Sequence, residues 1–165
     1  MYSSERIGVH HVREGFDCGN ERLNRWLLLA ALDADRGGTA RTFVWSDSGR
    51  VVAYISLVPH QVRKQEVPTK IRHGAPDVIP AILLARLALQ RELQGRGLGA
   101  QLLVDALSRC VAAVDAAGGR LIVVDAIDDR AMRFYQHYGF KMTPKPHRLV
   151  MKASDARSSM SSILK

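Results

Sequence analysis

The feature that most constrains this chain is Gln94-Gly-Arg-Gly-Leu-Gly99. Three glycines at alternate positions forbid regular structure there and allow a tight turn with close approach to a ligand. Before them, Ala81–Arg91 is a nearly unbroken apolar run, which suits a strand buried on both faces and by composition also a helix. After them, Leu102, Leu103, Ala106, Leu107, Cys110, Val111 and Val114 recur at helical spacing, and Gly118-Gly119 stops the helix. A glycine turn opening a helix presents unpaired N–H groups and partial positive charge, a cradle for phosphate. Gln94–Ala100 supplies the N–H groups and Arg96 adds a charge.

Other phosphate loops fit less well. A Walker A loop needs Gly-Lys-Ser/Thr, and here Leu98-Gly99-Ala100 stands instead. A dinucleotide fingerprint spaces its glycines as G-x-G-x-x-G, whereas these run G-x-G-x-G. A purely structural glycine turn is the remaining alternative.

The rest of the chain reads as mixed α/β. Asn20 is a plausible cap for a helix over Glu21–Ala34, with Leu23, Trp26, Leu27 and Ala30 at helical spacing. Arg41–Trp45 and Arg50–Pro59 form a hairpin around Asp47-Ser-Gly49. Gln61–Pro76 reads as loop or partly ordered, and Leu121–Val124 as a short strand. Asp128–Tyr138 is a helix with an acidic first turn, stopped by Gly139. Phe140–Met142 and Arg148–Lys152 read as a last strand pair. Residues 1–152 are expected to be one domain, and the Ser-rich 153–165 a mobile tail.

Gln94-x-x-Gly97-x-Gly99 resembles the Q/R-x-x-G-x-G/A signature of GNAT acetyltransferases, and Ala131-Met-Arg-Phe-Tyr135-Gln-His-Tyr-Gly139-Phe140 resembles that family's A-x-x-F-Y-x-x-x-G-F segment. The resemblance implies the GNAT fold: a mixed central sheet with helices on both faces. It implies acetyl-CoA as acetyl donor, its pyrophosphate on Gln94, Gly95, Arg96, Gly97, Leu98, Gly99 and Ala100. It makes Leu87, Ala88 and Leu89 the strand that holds the pantetheine arm. Asp128 stands where many members have Asn against that arm; a helix N-cap is the alternative role. Tyr135 becomes the general acid for the departing thiolate, with Tyr138 in reserve and Phe134 facing inward.

A narrower resemblance runs through Phe16–Leu27, Ala40–Val44, Ile79–Ala88 and Val124–Asp128, towards the toxin subgroup of type II toxin–antitoxin systems. That subgroup acetylates the α-amine of aminoacyl-tRNA and blocks translation. It implies a ribbon-helix-helix antitoxin, a homodimer, and operator DNA reached only through the antitoxin. The alternatives are acetylation of a small amine or protein N-terminus, and a co-repressor module without catalysis.

The chemistry agrees. An α-amine titrates near 8, well below a lysine ε-amine, and arrives largely neutral without a dedicated base. No base stands at an obvious place on the central strand, though His60, His73 or Glu92 could serve. A net charge of +8 suits a polyanionic partner, and Arg36, Arg72 and Arg91 are the expected tRNA contacts. Cys18 and Cys110 are far apart and read as free thiols in a reducing cytoplasm. His10 and His11 are adjacent and would point apart on a regular element, so no metal site is expected. No apolar run approaches a membrane span.

Overall fold

The computed structural model describes residues 2–165. Seven strands hydrogen-bond in the order β1-β2-β3-β4-β5-β7-β6. Their ranges are β1 Glu5–Arg6, β2 Arg41–Asp47, β3 Arg50–Arg63, β4 Val78–Leu89, β5 Leu121–Asp125, β6 Lys141–Met142 and β7 Arg148–Lys152. The sheet is mixed: β4 and β5 run parallel, while β1–β2, β2–β3, β5–β7 and β6–β7 are antiparallel. Two compact units divide the chain, residues 2–58 with Ala85–Ala106, and Pro59–Leu84 with Leu107–Lys165. Strands β3 and β4 and helix α4 (Leu98–Ala117) each contribute to both.

In the first unit, helices α1 (Glu21–Leu29) and α2 (Ala31–Gly37) replace the single helix expected over Glu21–Ala34. The break falls at Ala30, whose φ of −126° departs from helical geometry while its N–H still reaches the Trp26 carbonyl. Asn20 caps α1 as expected, its side chain accepting from the Leu23 N–H. The core joins Ile7, Phe16, Leu27, Ala31, Val44, Val51, Tyr54 and Ala88. Leu27 is fully buried, which contributes about 1.5–3 kcal/mol by area. The buried Asp35 carboxylate is met by Arg6 at 2.9 Å and by Arg41 at 3.5 Å, so its charge is compensated.

In the second unit, the stretch over Gln61–Pro76, expected as loop or partly ordered, is ordered in pieces. Strand β3 continues to Arg63, a 3-10 turn spans Lys64–Glu66, and α3 is Thr69–Arg72. The cause is burial: Val62, Val67 and Ile71 pack with Ile79, Ala81, Leu121, Val123 and Val150, three apolar residues spread among polar and charged ones. Helix α5 spans Asp129–His137. The serine-rich tail is also helical, as α6 over Ala153–Ile163. Ala153 and Ala156 are buried and Arg157 pairs with Asp115, which ties α6 to the end of α4.

Candidate active site

The phosphate cradle is built in the first unit. Strand β4 carries Leu87, Ala88 and Leu89, of which Ala88 and Leu89 are buried. A 3-10 turn, Arg91–Leu93, then leads into the glycine loop, and α4 begins at Leu98. Gln94 fixes the corner: its side-chain amide donates to the Leu89 carbonyl at 2.8 Å and the Cys18 carbonyl at 3.0 Å. Its role here is to brace the loop. Gly95 and Gly97 have φ of +77° and +78°, the left-handed region that L side chains avoid. A Cβ at either would meet nothing within 4 Å, so the glycines are needed for conformation and the space beside them is open. Gly95, Arg96 and Gly97 are exposed. The first turn of the 20-residue α4 leaves N–H groups without helical partners beside that open face. These features fit a diphosphate group.

Tyr135 lies in the second unit, on α5. It is buried, edge-on to Phe134 and Phe140 with ring centroids 5.4 Å away in each case. The expectation that Phe134 faces inward is corrected. Tyr135 takes the inward position, and Phe134 is half-buried against Tyr135 and Tyr138. The helical spacing explains it, since Tyr135 is the α5 residue that falls on the buried stripe. Burial, reinforced by the neighbouring Cys110, pushes the Tyr135 phenol well above its usual range. The group therefore stays protonated at neutral pH. Cys110 itself is raised to about 12 by burial and is chemically inert.

The other expected residues divide. Asp128 caps α5, its carboxylate accepting from the Ala131 N–H at 2.7 Å. Tyr138 closes the same helix. Arg36 is exposed in the last turn of α2. Arg72 braces its own segment, donating to the Val67 carbonyl at 2.8 Å. Arg91 is exposed, 3.5 Å from Asp17, and lines a cavity of about 620 Å³ with Arg13, Arg25, Asn24 and Leu28. Of the base candidates, His73 and Glu92 are exposed. His60 is half-buried, its Nε2 has no partner, and desolvation, then the Arg148 charge, lowers its pKa and keeps it neutral.

The reading of His10 and His11 as pointing apart is also corrected. They lie in a turn, with rings 4.0 Å apart and within one ion's reach of Glu5. His11 accepts from the Gly8 N–H and its Nε2 lies 2.7 Å from Glu5, so both ring nitrogens are engaged within the protein.

Sequence reasoning missed Arg86. It interrupts the apolar run of β4, and a lone charge in such a run was the signal. Its guanidinium lies 3.6 Å from the centre of the Trp26 ring, and its Nη1 is 3.5 Å from Ser56 Oγ.

Comparison with known proteins agrees with this geometry. The family model described as an acetyltransferase (GNAT) domain matches residues 38–142. A "tRNA-acetylating toxin" of Mycobacterium tuberculosis (strain ATCC 25618 / H37Rv) is 42% identical over 144 residues, covering 87% of each chain. The structure of AtaT complexed with acetyl-methionyl-tRNAfMet superposes with a TM-score of 0.87 at 25% identity, over 96% of this chain and 98% of that one. The AtaT–AtaR complex bound to DNA gives a TM-score of 0.77 at 25% identity, over 94% and 97%. With that family model matching residues 38–142, the chain belongs to the GNAT family and is an N-acetyltransferase that uses acetyl-CoA.

Proposed function

We propose that this enzyme transfers acetyl from acetyl-CoA to the α-amine of an aminoacyl-tRNA and so acts as a toxin that blocks translation. The observation that carries the reading is the 42% identity to a tRNA-acetylating toxin over 87% of both chains. The fold match to AtaT in complex with acetyl-methionyl-tRNA supports it. So does a net charge of +8.

Residues 1–152 are read as one acetyltransferase domain with α6 appended. Gln94–Ala100 holds the pyrophosphate through backbone N–H groups at the start of α4, and the β4 segment Leu87–Leu89 holds the pantetheine arm. Acetyl-CoA supplies a thioester whose carbonyl carbon accepts the amine nitrogen. As the C–N bond forms and the C–S bond breaks, Tyr135 gives its phenolic proton to the departing sulfur. Its raised pKa keeps that proton available. The amine loses its proton to water, which an α-amine near neutrality allows without a strong base. Tyr135 is then reprotonated from solvent. Asp128 caps α5 and holds the helix that carries Tyr135.

Arg36 and Arg91 are read as phosphate contacts; both are exposed, and Arg91 also lies 3.5 Å from Asp17. Arg72 is a weaker choice, because it braces Val67. A cytoplasmic homodimer neutralised by a ribbon-helix-helix antitoxin, which carries it to operator DNA, completes the reading. The AtaT–AtaR–DNA assembly supports the antitoxin part.

The test is product identity. The protein is incubated with acetyl-CoA and a pool of charged tRNA, and the amino acids released from tRNA are read by mass spectrometry. N-acetylated amino acids are the expected product. Acetylated polyamines or peptide N-termini, with unmodified tRNA, would assign the enzyme to small amines or proteins instead.

A further inference from the structure

Buried Arg148 is matched by Asp125, and the exposed Arg6, Arg91 and Arg157 pair with Asp35, Asp17 and Asp115. The half-buried Arg13 and Arg72 donate to the Leu28 and Val67 backbone carbonyls. Among the described residues, Arg86 has neither kind of partner. It is half-buried on β4, and among the described residues no carboxylate pairs with it. Its neighbours are the Trp26 face at 3.6 Å, Ser56 Oγ at 3.5 Å and the Tyr54 ring system that stacks on Trp26. These neighbours position a guanidinium without neutralising it. Cation–π contact fixes its plane, and Tyr54 is itself locked by its hydroxyl donating to the Leu23 carbonyl at 2.8 Å. Burial disfavours the charged form of Arg86, and the neighbouring Tyr54 phenol offsets this only in part.

A guanidinium carries five N–H donors in a planar fork matched to phosphate, and here at most one donor is engaged. Arg86 directly precedes Leu87–Leu89, so its Cα stands one residue, about 3.8 Å, from the strand segment read above as the pantetheine holder. The diphosphate of the coenzyme already has the α4 cradle and Arg96. A second fixed cation next to the reacting segment therefore serves another anion.

We infer that Arg86, oriented by Trp26 and Ser56, binds a phosphate near the 3′ end of the RNA acceptor and positions the aminoacyl ester for acetyl transfer. Arg86 is a positioning residue, and the inference rests on the proposed aminoacyl-tRNA substrate. It makes α1 part of acceptor recognition, because Trp26 is on α1 and without it the guanidinium has no fixed plane.

The test couples the side chain to one phosphate. Wild type, Arg86→Gln and Arg86→Lys are assayed with aminoacyl-tRNA, and their binding is measured to an acceptor-stem RNA. In that RNA the last three 3′ linkages are replaced singly by neutral methylphosphonate. Arg86→Gln is expected to raise KM for aminoacyl-tRNA by ~10-fold or more, and to lower the slope of log affinity against log salt by about one. Its affinity for acetyl-CoA stays as in wild type. At one linkage the methylphosphonate weakens wild type strongly and Arg86→Gln hardly at all. Arg86→Lys recovers part of the loss, since it keeps the charge and loses the fork. Additive effects at all three linkages overturn the inference, as does a loss confined to acetyl-CoA affinity or to thermal stability. If wild type itself transfers no acetyl to any aminoacyl-tRNA, the substrate reading fails, and this inference with it. Normal transfer by wild type and Arg86→Gln alike overturns the role of Arg86 alone.

Discussion

The glycine loop and the α5 aromatic segment do their work in opposite ways. In the proposed mechanism Gln94–Ala100 acts through backbone N–H groups on an exposed turn, held by positive φ at Gly95 and Gly97. The α5 segment would act through one hydroxyl on a buried side chain, Tyr135, packed edge-on against Phe134 and Phe140. A backbone device tolerates side-chain changes and fails when its conformation is altered. A side-chain device tolerates nothing at its one reacting atom, yet its packing survives removal of that atom.

The largest effect should separate the two. Tyr135→Phe removes the proton donor and keeps the aromatic wall. We expect kcat to fall by ~10²–10⁴-fold. Expression of the wild-type protein should arrest growth, and expression of the variant should not. Next comes Gly97→Val, which forces a β-branched residue to φ near +78°. A strain of about 1–2 kcal/mol in the loop should weaken acetyl-CoA binding by ~10-fold, measured by calorimetry, with little change in kcat at saturation. If instead kcat collapses and affinity holds, the division of roles is wrong.

Smaller effects sharpen the picture of α5. Asp128→Ala removes a cap and should lower stability by about 1 kcal/mol, whereas Asp128→Asn keeps the cap and should be near neutral in a denaturant melt. Asn also restores the residue that many family members have, so improved acetyl-CoA affinity in Asp128→Asn would show that this position touches the coenzyme arm. The pH dependence follows from two groups. Hydrogen bonding by Arg148, at 2.7 Å on both carboxylate oxygens, holds Asp125 below the usual carboxylate range. A carboxylate with a depressed folded pKa contributes stability above about pH 4, and that contribution is lost as pH falls through its folded pKa. Arg148→Met should therefore flatten the acid limb of a stability–pH curve. Tyr135 is shifted the other way, so its ionisation should leave no descending limb in the rate profile below about pH 10.

The same contrast explains what could be read in the sequence. The loop was legible because glycine spacing records backbone geometry directly, and the helix after it shows seven apolar residues in register. The strands of the β2–β3 hairpin were legible from the Asp47-Ser-Gly49 turn and the Val, Ile and Tyr content beyond it, though β3 runs on to Arg63. Tyr135 was legible by motif, but its inward orientation was not, because Phe134 and Tyr135 are chemically near-equivalent and only packing decides. The break at Ala30 has no proline or glycine to announce it. The α3 segment and α6 were hidden by polar composition, since only Ile71 on α3, and Ala153 and Ala156 on α6, are buried. Arg86 was visible as a charge in an apolar strand, but its partner Trp26 lies 60 residues earlier, and no local pattern joins them.

The most direct test loads wild type and Tyr135→Phe to saturation with labelled acetyl-CoA, verifies binding of the donor, and mixes each with charged tRNA in a single turnover. The account predicts rapid appearance of label on the aminoacyl-tRNA with wild type, and transfer slowed by ~10²-fold or more with the variant, at equal donor occupancy. Equal rates in the two proteins, or label that never enters the aminoacyl-tRNA fraction while donor is fully bound, would contradict it.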